Sequence, residues 1–121
     1  MKTPLRILLT LLFLVALTPC YATDIVRIDA KYKKDALTSP EPEYPIKSQH
    51  LGYQGQGIYR VVVNKSNGMV DEVKIMKTTG HRELDASAIM TFFNWKFKPG
   101  MIDHRDILVI FHLTGWTRGM Y

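Results

Sequence analysis

The chain has 121 residues, a formal charge of +5, 46% hydrophobic residues and a single cysteine, Cys20. That length holds one small domain, and one cysteine leaves no internal disulfide to staple it. No basic face interleaved with aromatic residues accompanies the charge, which argues against a nucleic-acid partner.

Lys2 and Arg6 precede an apolar run, Ile7 to Leu17, broken only by Thr10, and TPCYA follows with small residues at Cys20 and Ala22. This three-part layout predicts a secretory signal peptide over residues 1–22, cut after Ala22. The run is shorter than the roughly 20 residues of a comfortable membrane span, so an uncleaved anchor is the alternative. Pro19 sits where a lipoprotein signal needs a small residue, which disfavours lipidation of Cys20. Cleavage leaves 99 residues with a charge of +3 and no thiol, so the exported domain must hold together by burial alone. Thr23 as the mature N-terminus would separate cleavage from anchoring.

Residues 23–39 read as a polar leader, with the basic run DAKYKKD solvated. SPEPEYP, Ser39 to Pro45, must run extended, because each proline also restricts the residue before it. IKSQHL predicts a short helix stopped at Gly52. GIYRVVVN, Gly57 to Asn64, is rich in β-branched residues and predicts a strand with Tyr59, Val61 and Val63 on one face. Asn67-Gly68 is a hairpin signal. Val70 to Lys77 returns, with Val73 and Ile75 inward. After TTGH, the segment RELDASAIMTFFNW predicts a helix whose stripe is Leu84, Ala88, Thr91 and Trp95. KFKPG ends it, MIDHRD is a loop, and DILVIFHL, Asp106 to Leu113, is the last strand. Residues 40–115 form the expected domain and 116–121 a tail.

The order α, β, β, α, β predicts an α+β fold: a three-stranded antiparallel sheet with helices on one face. Such a sheet leaves two edges uncovered. An uncovered edge is an aggregation liability unless something pairs with it, and strand addition is a common mode of peptide recognition.

The chemical motifs are weaker. GYQGQG has glycines spaced G-x-x-G-x-G and precedes a strand, whereas a dinucleotide loop reads G-x-G-x-x-G and precedes a helix. Its glycines are therefore read as serving chain reversal. His50, His81, His104 and His112 show no ligand spacing, so no metal and no cofactor is expected. Glu83 and Asp85 suit a helix N-terminus, and Asp71-Glu72 read as solvated charges. No G-x-S-x-G is present. The chain is not expected to be an enzyme; an enzymatic alternative would rest on His104 and Asp106.

Pro42-x-Tyr44-Pro45, Gly55, Asn67-Gly68-x-Val70, TTG, Leu84-Asp85, Ala88 and Trp95-Lys96-Phe97-Lys98-Pro99 occur in that order. This ordered set, from about Glu41 to Gly115, resembles the C-terminal domain of TonB. The resemblance implies a periplasmic module that grips an extended segment of a protein partner, such as an outer-membrane TonB-dependent receptor. It implies strand addition along the last strand, with Ile107, Val109, Phe111 and Leu113, and further contacts from Glu41, Pro42, Glu43 and Tyr44. Edge-to-edge pairing of two copies is left open. There are departures. A full transducer has an uncleaved anchor and a long proline-rich linker, whereas here residues 23–42 reach at most about 70 Å. Gly57 stands where the family usually has valine, and Thr78-Thr79 replace a serine pair. A short, membrane-anchored energy transducer is the alternative, located in the inner membrane facing the periplasm.

Overall fold

The computed structural model describes residues 23–114. The segments read as a signal peptide and as a tail lie outside the described residues.

Six strands and two helices follow one another along the chain. They are β1 (Thr23–Arg27), a 3-10 turn (Ala30–Lys33), β2 (Ala36–Thr38), α1 (Ile46–His50), β3 (Gly55–Val63), β4 (Val70–Lys77), α2 (Arg82–Phe92), β5 (Lys96–Phe97) and β6 (His104–Thr114). The main sheet is antiparallel in the order β1-β6-β3-β4, and β2 pairs with β5 in a small second sheet.

The expected α+β class and antiparallel sheet are found, but the strand count and order differ from expectation. The main sheet has four strands rather than three, and its last strand is interior. The added strand comes from the expected leader, where Ile25 and Val26 supply β-branched residues that pair once β6 is there to receive them. The loop expected at MIDHRD is shorter, because β6 begins at His104.

Alternation decides which residues form the core. Tyr59, Val61 and Val63 of β3 and Ile107, Val109, Phe111 and Leu113 of β6 are buried on one face. Leu84, Ala88 and Phe92 of α2 are buried with them in a single cluster. Trp95 and Phe97 close the cluster, with Phe92 and Trp95 edge to face at 5.0 Å. The helix stops before Trp95, since the buried indole needs an acceptor and donates to the Pro40 carbonyl at 2.7 Å. The WKFKP stretch thereby ties residues 35–40 to the hairpin: Phe97 N–H donates to the Gly68 carbonyl and Lys98 N–H to the Asp35 carbonyl. Gly68, at φ 76°, cannot carry a side chain there, because a Cβ would lie 1.9 Å from the Phe97 carbonyl oxygen.

Candidate functional site

The side of the sheet formed by β6 and β1 is the candidate site. β6 pairs with β3 from Phe111 opposite Gly55 to His104 opposite Val62. On its other side, β1 pairs antiparallel in unbroken register, Asp24 opposite Leu113, Ile25 opposite His112, Val26 opposite Phe111 and Arg27 opposite Ile110.

The parity of β6 assigns its backbone groups. Leu113 directs its N–H to Gln54 Oε1, at 2.9 Å, in the segment leading into β3. In an antiparallel ladder, N–H and C=O groups of alternate residues face the same neighbour. Ile107, Val109, Phe111 and Leu113 therefore point their side chains into the core and their backbone groups toward β3. The groups facing β1 belong to Ile110, His112 and Thr114, opposite Arg27, Ile25 and Thr23. Leu108 lies just beyond the end of β1, where it lines a cleft of about 200 Å³ with Arg27, Asp29, Lys31, Tyr32 and Ile110.

The second expected group is split. Pro42 and Tyr44 are buried, whereas Glu41 and Glu43 are exposed. Glu41 pairs with Lys33 at 3.2 Å, and the Glu43 carbonyl accepts from the Ser87 hydroxyl. Tyr44 and Phe111 meet edge to face, 5.3 Å between centroids, and the Tyr44 hydroxyl donates to the Tyr53 carbonyl. Burial, then the nearby Asp24 carboxylate, pushes the Tyr44 hydroxyl up to about 12. Tyr44 thus lies beneath the β1–β6 pair. The structure brings together Tyr44, Phe111 and Leu113, while Glu41 and Glu43 make their contacts elsewhere.

β1 is lightly held. Among its described side chains, Val26 packs against the core, Ile25 is half-buried, and Asp24 and Arg27 are exposed. The chain is pinned just after it. Ile28 is buried, Asp29 caps the 3-10 turn by accepting from Lys31 N–H, and Arg105 donates to the carbonyls of Tyr32 and Lys34.

The opposite edge of the sheet, β4, is guarded. It carries Asp71, Glu72, Lys74 and Lys77, all exposed, and its register with β3 shifts twice. Charges and bulges are the usual means of keeping an edge unpaired.

Asp85, which suits a helix N-terminus by sequence, is the centre of a buried cluster. It accepts from the Tyr59 hydroxyl at 2.6 Å, from Thr79 N–H at 3.0 Å and Thr79 Oγ1 at 2.9 Å, and from Thr78 Oγ1. Burial pushes its carboxyl up, but the hydrogen bonds from Thr78, Tyr59 and Thr79 outweigh this and hold it below the usual carboxylate range. The same burial and the same bond raise the Tyr59 hydroxyl beyond the ordinary tyrosine range. This network locks the TTG turn to β3 and α2.

The two residues behind the enzymatic alternative each bind another partner. Asp106 is held by Arg60 at 2.7 and 3.0 Å, and His104 Nδ1 lies 2.8 Å from Asp103. No group of three or more potential metal ligands occurs among the described residues, and none of their helices is long and apolar enough to cross a membrane.

Comparison with known proteins agrees with this architecture. The family model described as the C-terminal region of the Gram-negative bacterial TonB protein matches residues 40–114. Protein tonB2 of Pseudomonas aeruginosa is 35% identical over 63 residues, 52% of this chain and 23% of that protein. The chain thus matches about a quarter of that relative's length. The solution NMR structure of the Pseudomonas aeruginosa TonB C-terminal domain superposes with a TM-score of 0.50 at 18% identity, covering 69% of this chain and 88% of that one. The chain belongs to the TonB C-terminal domain family.

Proposed function

We propose that this domain acts in the periplasm as a protein-binding module, taking an extended segment of an outer-membrane receptor-type partner by strand addition on the β6 side of the sheet. The observation that carries the reading is the β1–β6 pairing itself. A segment with few core contacts lies along β6 in unbroken register, so this edge has the geometry a peptide strand needs. Backbone groups of Ile110 and His112 would supply affinity. The Tyr44–Phe111 platform would receive the inward side chain. The guarded β4 edge favours the β6 side over the alternative.

The test is fluorescence anisotropy with synthetic peptides copying short extended segments of outer-membrane receptors from the same cell. Binding weakened at least tenfold by Phe111→Ala, but little changed by Lys74→Glu on β4, is the expected result. Equal loss from both, in variants that remain folded, would remove strand addition at this edge.

A further inference from the structure

The residue range that the proposed partner would use is already filled by this chain. We infer that β1 is an exchangeable internal stand-in for the partner strand, so that a partner binds by displacing Thr23–Arg27, and that the seat of β1 defines what the partner must look like. The inference rests on the strand-addition reading above.

Three observations support it. First, β1 meets the rest of the molecule mainly through its ladder to β6, and Val26 is the residue it packs against the core. An element with so few buried contacts opens at a small fraction of the global unfolding free energy. Second, the anchor lies outside the strand. Ile28, the Asp29-capped turn and the Arg105 clamp hold the chain whether or not β1 is seated. Residues 23–27 can therefore peel away from a fixed hinge without unpacking the core. Third, lifting β1 uncovers backbone groups of Ile110 and His112 beside Phe111 and Leu113, an unpaired edge that another strand can cover.

The seat also specifies its occupant. Facing residues of an antiparallel pair lie on the same side of the sheet. Val26 faces Phe111 on the inner side, and Asp24 faces Leu113 there; Ile25 faces His112 and Arg27 faces Ile110 on the outer side. A replacing strand therefore runs antiparallel to β6, sets a β-branched apolar side chain against Phe111, and keeps the inward residue two positions earlier polar. Because β1 is tethered, it competes at an effective concentration of the order of millimolar. The apparent affinity of any partner then falls by the fraction of molecules in which β1 is open.

The experiment uses the full chain carrying Cys20→Ser, with a labelled peptide copying residues 23–29 as the probe. Ile25→Cys with His112→Cys locks β1 to β6 by a disulfide on the outer face, reversible by reductant. Val26→Asp loosens the seat by setting a carboxylate against Phe111. The expected result is no binding to the oxidised lock, recovery on reduction, and affinity at least tenfold above the parent chain for Val26→Asp. Near-ultraviolet circular dichroism of each form checks that the aromatic core is intact. Equal binding to locked and loosened chains would overturn displacement of β1 while leaving strand addition at another edge standing. No binding to any form, the loosened one included, would overturn the inference; the strand-addition reading itself would fall only if receptor-derived peptides also fail.

Discussion

Gly57 shows how a single position can carry a packing requirement that the local pattern hides. It stands in β3, and a Cβ there would lie 2.6 Å from the Tyr59 hydroxyl and 3.0 Å from the Lys77 carbonyl oxygen. The hydroxyl has no room to retreat, because it is bound to the buried Asp85 carboxylate. Gly57→Ala is expected to destabilise the domain by about 1–3 kcal/mol through overpacking, measured by urea unfolding. Asp85 makes a pH-dependent prediction. Its folded pKa is depressed, so its ionised form contributes stability above the unfolded value of about 4, and that contribution is lost as pH falls through the folded value. Asp85→Asn should cost about 1–3 kcal/mol at neutral pH, with the difference from the parent shrinking as the pH falls below about 4. A pH-independent difference in urea unfolding would contradict this account of the network. Neither residue's role was legible in sequence. Asp85 at a helix start satisfies the dipole pattern equally well when exposed, and only the fold brings Tyr59 within reach.

At the scale of elements, the strands with strong period-two patterns were legible: β3, β4 and most of β6 lie where alternation and β-branched content place them. α1 starts directly after Pro45 and α2 directly after the TTGH break. What escaped detection was non-local. β1 and β5 are short, with five- and two-residue spans respectively, and are stabilised by partners far along the chain rather than by their own propensity. Missing β1 reversed the status of β6 from edge to interior strand. The candidate site was legible in part. Tyr44 and the last strand were identified by resemblance, and the structure joins them at Phe111. The alternation that puts Ile107, Val109, Phe111 and Leu113 in the core also turns their backbone toward β3, leaving Ile110, His112 and Thr114 to face β1. Apolar pattern alone selects the residues that fill the core, and these are the ones whose backbone groups face β3 rather than a partner strand.

At the scale of the molecule, a domain without disulfides among its described residues is held by one aromatic-rich core. Trp95, Tyr59, Phe92, Phe97 and Phe111 are its largest fully buried side chains. That core is independent of β1 except at Val26, so the molecule combines a fixed body with one exchangeable edge. The charged and irregular β4 edge disfavours association on the other side. This division gives the domain a way to present a strand-accepting surface while keeping it covered between encounters. Native-state amide hydrogen exchange, read by NMR residue by residue along β6, tests that claim most directly. The account predicts that the Ile110 and His112 amides exchange through a local opening of β1, at least tenfold faster than the Val109 and Phe111 amides that face β3. Equal protection of the two sets, up to the global unfolding limit, would show that β1 is a permanent part of the sheet and contradict it.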